Sequence, residues 1–297
     1  MKKISIILLV FILASCGGKK KSNTIELIEK VDSSSNQPKV NKDLVGDVLE
    51  SIPSPLEISI LIKQSGIRFS KKNLNSPDNI SRYNTNYKKS MNLGIYSTDL
   101  GYCNIYNQNQ EALTYLDAVK ETADGLNIGQ FFDMNTIRRL ATSRGNLDSL
   151  LVVTQQNFEK INGHLQEQDR SNLSVLILAG GWLESLYLTL EVSKAYPSEQ
   201  SLKERVGQQR VILEQFLLLL SFYNNDPFVR NLITDLTNLQ KQYDKVKVTY
   251  VYQPSTMKEV DGILVVQDNS KTTVDVPKDV FDGIYQNVIA IRKKIID

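Results

Sequence analysis

Apolar residues recur at the three- and four-residue spacing of an α-helix over most of the chain from Leu44 onward. Polar residues that favour helix starts precede these segments, and Ser54-Pro55 and Ser76-Pro77 each place a proline at the first helical position. Further N-caps are predicted at Asp133, Asn146, Ser171, Ser198 and Asp226. The predicted helices are Pro55 to Ile62, Pro77 to about Asn107, Gln110 to Leu126, Asp133 to Arg144, Leu147 to Asp169, Asn172 to Ala195, Glu199 to Asn224 and Pro227 to Val248.

Short polar turns join the last four of these helices, which predicts that consecutive helices run antiparallel. Leu173 to Leu190 and Val211 to Tyr223 are apolar on nearly all sides, so we expect them at the centre of the bundle, with Leu218 or Leu219 nearly inaccessible. Both segments are too short or too often interrupted by polar residues to be convincing membrane spans.

The last quarter of the chain changes its period. Gly262 to Val266 and Thr272 to Val276 are rich in branched residues and flank a polar segment, Asp268 to Lys271, which predicts a β-hairpin. A final helix is predicted from Pro277 to about Ile295. We expect the hairpin to pack its apolar face on the bundle, and the alternative is that it offers an edge to a partner. The fold class is therefore all-α: an antiparallel long-helix bundle with a small C-terminal β-hairpin and a final helix.

The N-terminus has the organisation of an export signal. Two lysines precede an apolar run, Ile4 to Leu13, which is shorter than the roughly 20 residues that a membrane span needs. The tetrad Leu13-Ala14-Ser15-Cys16 resembles the lipobox of bacterial lipoproteins. That resemblance implies a signal peptide at residues 1–15 and lipidation of Cys16, which would attach the protein to a membrane. The alternative is an ordinary cleaved signal peptide.

The remaining chain divides by composition. Residues 16–43 have little apolar content and are expected to form the lipidated N-terminus and a flexible tether. Residues 44–252 form the helical domain, and the hairpin and last helix, 253–297, are expected to pack on that same domain. Surface-exported lipoproteins of some Gram-negative bacteria carry acidic residues after the cysteine, whereas Lys19-Lys20-Lys21 follow here. The basic residues favour an outer-membrane location facing the periplasm.

Composition narrows the function classes. The chain has 35 basic and 33 acidic residues, and cleavage after residue 15 would remove Lys2 and Lys3 and leave no net charge. Apart from Lys19-Lys20-Lys21 no basic cluster stands out, so a nucleic-acid partner is not expected. With Cys16 acylated, only Cys103 remains as a thiol, and His164 is the one histidine. We therefore expect no disulfide, no metal site and no other cofactor.

Two acids lie in the middle of apolar helix faces, namely Asp99 and Glu184. Burial of an unpaired ionised acid is costly, so each needs a polar partner or a proton. One hypothesis is that both are structural hydrogen-bond hubs. The other is that they line a cleft together with nearby tyrosines, and the candidate ligand-binding residues are then Asp99, Tyr102, Tyr106, Glu184 and Tyr187.

No strong catalytic motif is present, and no catalytic residue is assigned. The expected function is that of a lipid-anchored envelope binding or scaffolding protein, with a possible envelope protein as partner. One alternative is an envelope hydrolase that uses Asp99 and Glu184 as an acid/base pair. Another is a small-molecule carrier with a tyrosine-lined cavity.

Overall fold

The computed structural model describes residues 60, 62–64, 66–142, 147–260, 263–267 and 269–297. The predicted signal peptide, Cys16 and the tether lie outside the described residues. So do most of the predicted helix from Pro55 to Ile62 and the predicted cap Asn146.

The described residues form a helical bundle followed by a small antiparallel β-structure and a last helix, so the predicted fold class is confirmed. The α-helices are α1 (Asn86–Ile105), α2 (Asn109–Asp124), α3 (Met134–Thr142), α4 (Leu147–Glu167), α5 (Ser171–Ala195), α6 (Gln200–Ser221), α7 (Pro227–Tyr243) and α8 (Lys278–Ile296). The strands are β1 (Lys247–Val251), β2 (Thr256–Val260), β3 (Ile263–Gln267) and β4 (Lys271–Asp275). Short 3-10 helices occupy Lys71–Asn73, Pro77–Arg82 and Gly129–Phe131.

Helices α1 and α5 form the centre of the bundle, and both are buried along most of their length. Their backbones touch at two glycines: Gly94 lies against the carbonyl of Ile177, and Gly180 lies against the carbonyl of Met91. Neither position has room for a Cβ atom. This close crossing brings the middle of α1 beside the middle of α5.

The prediction that Val211 to Tyr223 forms a central helix is wrong. In α6 one face is buried and includes Leu213 and Phe216, whereas Val211 is 59% exposed. Leu219 is fully buried, as predicted. Helix α6 is thus an amphipathic outer helix, and α1, with its polar-looking sequence, takes the central place instead.

Helix α5 is long and apolar enough to cross a membrane, as judged by length and composition alone. Of its most apolar 18-residue window, 89% is buried inside the protein. A mostly buried segment of this kind is typical of the core helix of a globular domain.

The single long helix predicted from Pro77 to Asn107 is broken. A 3-10 helix ends at Arg82, and α1 begins after Thr85, whose hydroxyl accepts a hydrogen bond from the Lys88 N–H at 3.1 Å. Between them Tyr83 is buried, with its ring 6.2 Å from that of Tyr96. The break therefore combines a strong polar cap with an aromatic anchor.

Helix ends elsewhere differ by a few residues from the prediction. Asp133 and Asp226 act as caps, since Asp133 accepts from the Thr136 N–H at 3.0 Å and Asp226 from two N–H groups of α7. The predicted caps Ser171 and Ser198 do not have that role, because the capping positions are Arg170 and Glu199.

Strand pairing differs from the predicted hairpin. Helix α7 ends at Tyr243 rather than Val248, and β1 follows. The two predicted strands, Gly262 to Val266 and Thr272 to Val276, correspond to β3 and β4, and they do not pair with each other. Instead, β3 pairs with β2, and β4 pairs with β1. Asp261-Gly262, which lie outside the described residues, separate the paired strands β2 and β3 in the sequence, and Asp-Gly is a preferred sequence for a two-residue hairpin connection.

Candidate functional site

The two predicted acids lie side by side in the core with an arginine, and we call Asp99, Glu184 and Arg292 the acid–arginine cluster. Asp99 comes from α1, Glu184 from α5 and Arg292 from α8. The Glu184 oxygens accept hydrogen bonds from Nε and Nη2 of Arg292 at 2.6 and 2.7 Å. Both acids are fully buried. The cluster thus joins three helices through polar groups that are almost wholly buried.

Asp99 has a different set of partners. Its Oδ2 accepts a hydrogen bond from the Asn75 N–H at 3.0 Å. Its carboxyl also lies within hydrogen-bonding reach of Glu184. Burial, and next the charge of Glu184, raise the pKa of Asp99 well above its usual range, against the opposing effect of Arg292.

The guanidinium of Arg292 lies in the core, and the Arg292 side chain is only 9% exposed. It lies 4.0 Å from the ring centre of Tyr187, and its Nη2 donates to the Asn73 carbonyl at 3.2 Å. Burial lowers the pKa of Arg292, but the charge of Glu184 outweighs that effect and raises it above its ordinary value. Burial likewise raises the pKa of Tyr187 to about 12. Arg292 is therefore a permanent cation here.

Amide side chains connect the cluster to the end of α8. Asn75 Nδ2 donates to the Tyr83 hydroxyl at 3.0 Å and to Asn92 Oδ1 at 3.1 Å. Asn92 in turn donates to the Ile295 carbonyl at 3.1 Å, and the Tyr83 hydroxyl donates to the Ile296 carbonyl at 3.3 Å. These bonds satisfy the last carbonyls of α8, which its own helix leaves without partners.

The predicted tyrosines fall into two groups. Tyr187 lies in the acid–arginine cluster, whereas Tyr102 and Tyr106 pack around Phe69, with ring centres between 4.9 and 5.8 Å apart. The Tyr106 hydroxyl donates to the Ile67 carbonyl at 2.7 Å, and Tyr102 is fully buried. These two tyrosines therefore act as core and capping groups of the neighbouring loop.

The geometry matches the structural-hub hypothesis for the acids. In glycosidases the two carboxyls stand roughly 5 to 10 Å apart, which leaves space for a sugar or a water molecule. Asp99 and Glu184 have no exposed surface, and both Glu184 oxygens are occupied by Arg292. Substrate has no place between them, so this arrangement does not favour the hydrolase alternative.

Other candidate chemistry is sparse in the described part of the chain. No group of three or more His, Cys, Asp and Glu side chains there is placed to hold a metal ion. Cys103 is buried, and burial raises the pKa of its thiol above its ordinary value. The ring of His164 lies 4.6 Å from that of Phe131.

Sequence reasoning missed Arg292 and Asn75. Arg292 had a detectable signal, because it lies on the apolar face of α8 with Val288, Ile291 and Ile295, all of which are buried. Asn75 acts through its backbone N–H in a loop, a position that composition and periodicity do not mark.

A second candidate site is the β-ribbon, by which we mean strands β1 to β4 together with residues 252–255 between β1 and β2 and Val276 after β4. At its base, Val274 and Val276 are buried and lie over Gly207 of α6. Six of the ten exposed large hydrophobic residues in the described chain lie on the ribbon. They are Val248, Tyr250, Val251, Tyr252, Met257 and Val266. The expected packing on the bundle is thus present at the base, at Val274 and Val276.

Side chains bridge the gap between the two strand pairs of the ribbon. The Ser270 hydroxyl lies 3.3 Å from both the N–H and the carbonyl of Gln253. Asn269 Nδ2 donates to the Pro254 carbonyl at 2.8 Å and to the Thr256 hydroxyl at 3.1 Å. These bonds connect β1–β4 to β2–β3 across a segment that lacks regular pairing.

Comparison with protein-family models, curated proteins and solved structures finds no match for this chain. No functional residue is therefore carried over from another protein. The acid–arginine cluster and the β-ribbon stand as candidates on their own geometry.

Proposed function

We propose that the protein is a lipid-anchored binding or scaffolding protein of the bacterial cell envelope and that its β-ribbon contacts a partner protein. The observation that carries the proposal is the concentration of exposed apolar side chains on the ribbon. Exposed apolar patches on folded domains commonly mark interaction sites. The lipobox resemblance at Cys16 supports the anchor, and Lys19-Lys20-Lys21 support a location at the outer membrane facing the periplasm.

Two of the exposed residues, Val248 and Tyr250, lie on the face of the ribbon that packs on the bundle. Val248 pairs with Val274 and Tyr250 pairs with Thr272, so these four side chains lie on one face of the ribbon. Val274 is buried, whereas its partner Val248 and, one same-face pair further along, Tyr250 are exposed. The face that packs on the bundle thus continues into solvent, where a partner can cover it.

The second strand pair also carries exposed apolar residues. Met257 and Val266 are opposite each other in the register and are both mostly exposed. Tyr252 lies between the two strand pairs and is 71% exposed. Tyrosine and methionine are enriched at protein interfaces, and unpaired strand edges can accept a strand from a partner.

The closed core fits a scaffold. The acid–arginine cluster is buried and internally paired, and it holds α1, α5 and α8 together. It offers a ligand no access. A rigid bundle of this kind can present the ribbon at a defined angle.

Site-specific photocrosslinking in living cells tests the proposal. A photoreactive amino acid is placed at Met257 or Tyr252 on the ribbon. Matched controls carry it at Val152 on α4 and at Phe228 in the first turn of α7, at the opposite end of that helix from β1, and these two residues are exposed to 52% and 47%. We expect one discrete adduct band from each ribbon position and none from the controls, and mass spectrometry then identifies the partner.

Three results would contradict the proposal. Ribbon positions that yield no adduct, while the protein is present at normal levels, would show that the ribbon has no stable partner. Equal adducts from all four positions would indicate random collision. A partner found only at Phe228 or Val152 would move the binding surface to the bundle.

A further inference from the structure

We propose that Asp99 carries a proton at neutral pH, that it donates this proton to the Glu184 carboxylate, and that the packing of α8 against α1 and α5 is consequently sensitive to pH. The side chains of Asp99, Glu184 and Arg292 hold together the bundle that carries the ribbon, whatever partner the ribbon binds.

The charges within the cluster balance only if Asp99 is neutral. Arg292 supplies one positive charge, and both of its forked N–H groups are directed at Glu184. Such a bidentate bond is characteristic of an ionised carboxylate. The positive charge of Arg292 is therefore matched by Glu184. If Asp99 were also ionised, the interior would hold an uncompensated negative charge, which is very costly.

The two carboxyl oxygens of Asp99 differ in their hydrogen-bond partners. Oδ2 receives the Asn75 N–H, but no described N–H or O–H group donates to Oδ1. The Glu184 carboxyl lies within hydrogen-bonding reach instead. Two carboxylates in contact repel each other, whereas one proton between them forms a charge-assisted hydrogen bond. A protonated Asp99 thus explains why an acid occupies this place.

Other titratable groups around Asp99 do not replace it as the sensitive group below about pH 9. The groups that face Asp99 from other helices are Glu184 on α5, Arg292 on α8 and Tyr115 on α2. Those on α1 itself are Tyr96, Tyr102 and Cys103. Tyr83 lies beyond Tyr96, and Lys71 and Glu111 lie around Cys103. Burial raises the pKa of each of the named tyrosines and of Cys103, so they stay neutral. Arg292 stays charged throughout.

The direction of the pH effect follows from the raised pKa. In the unfolded chain an aspartate has a pKa of about 3.9, so it is ionised at neutral pH. The folded protein binds one more proton than the unfolded chain between that value and the folded pKa of Asp99. The contribution of Asp99 to stability is complete below about pH 4 and declines as the pH rises through this window, where the unfolding equilibrium constant changes about tenfold per pH unit.

The acid–arginine cluster is connected to the ribbon through helix α8, which carries Arg292. Helix α8 begins at Lys278, directly after Val276 and Pro277, and strand β4 ends at Asp275. A helix held by Glu184 and Asn92 therefore fixes the returning strand of the ribbon as well. Loss of the proton weakens that attachment.

The experiment compares wild type with Asp99→Asn, because asparagine has the same shape, donates one hydrogen bond towards Glu184 and cannot ionise. Asp117→Asn on α2 is the control, since the Asp117 side chain is 72% exposed. Unfolding equilibrium constants are measured with denaturant at a series of pH values from 5 to 9. We expect the wild-type constant, divided by that of Asp99→Asn, to rise towards tenfold per pH unit, while the ratio to Asp117→Asn stays flat.

A ratio to Asp99→Asn that is independent of pH, or that falls as the pH rises, would overturn the proposal. If Asp99→Asn does not fold, infrared spectroscopy of wild type with ¹³C-labelled aspartate decides the question. We expect a carbonyl band of a protonated carboxylic acid at pH 7, since exposed aspartates are ionised there. Absence of that band would likewise overturn the proposal.

Discussion

At the scale of single residues, Arg292 carries more of the structure than any other charged group described in the core. It neutralises Glu184, covers Tyr187 and holds the Asn73 carbonyl. A buried ion pair adds little stability compared with well-packed apolar residues, but removal of one partner leaves a buried charge without compensation. Single substitutions in the cluster are therefore expected to lower the free energy of unfolding strongly.

Replacement of Arg292 by methionine, which keeps the stem and removes the charge, tests this. We expect the free energy of unfolding to fall by about 3–5 kcal/mol, because Glu184 loses its only cation. Lys294→Met on the same helix is the matched control. Lys294 forms an exposed pair with Asp235, so we expect a loss of at most about 1 kcal/mol.

Denaturant unfolding measures both variants. Equal small losses would mean that Glu184 finds another partner or takes up a proton without cost, and the cluster would lose its structural importance.

Sequence patterns predict part of this site. Asp99 and Glu184 were recognisable because an acid on an apolar helix face stands out against its neighbours. The same test applied to α8 would have found Arg292. Which acid takes the cation and which takes the proton depends on distances across three helices, and no local pattern contains them.

At the scale of secondary-structure elements, the contact between α1 and α5 determines the core. Gly94 and Gly180 allow the two backbones to touch, and the Thr98 hydroxyl donates to the Gly181 carbonyl at 3.2 Å across the contact. This approach places Asp99 next to Glu184. Side chains at the glycine positions would push the helices apart and separate the acids.

Gly180→Ala is the corresponding test. The added Cβ would collide with the Met91 carbonyl, a backbone atom that cannot turn away, so we expect a loss of about 3 kcal/mol or more in unfolding free energy. Gly163→Ala in α4 is the matched control, because open space surrounds that position. There we expect a gain of about 0.5–1 kcal/mol from helix propensity.

Thermal or denaturant unfolding distinguishes the two variants. A Gly180→Ala protein as stable as Gly163→Ala would show that α1 and α5 do not cross as closely as described.

Helix positions were largely predictable, since apolar periodicity and polar caps mark them locally. Their ends were less so: α1 and α2 are followed by Asn107 and Asn127 with positive φ, a conformation that asparagine tolerates without a glycine signal. Strand pairing was predicted wrongly because β1 lies in a segment that continues the apolar pattern of α7. Burial of α1 rather than α6 reflects the glycine contact, which hydrophobicity alone does not reveal.

At the scale of the whole molecule, a proposed lipid anchor at Cys16 precedes the helical bundle and the exposed ribbon along the chain. The ribbon has apolar residues that a soluble domain normally covers. An anchor at the other end of the chain would confine those residues to a membrane surface. Two or three acyl chains on one residue hold a protein there almost permanently, since each buried methylene contributes roughly 0.8 kcal/mol.

Metabolic labelling with palmitate tests the membrane anchor most directly. Wild type and Cys16→Ser are expressed in a bacterial host, and label and membrane association are measured for each. We predict that wild type carries the label and sediments with the outer membrane, whereas Cys16→Ser carries no label and is unprocessed or soluble. Label that persists in Cys16→Ser, or a wild-type protein that never acquires it, would contradict the account.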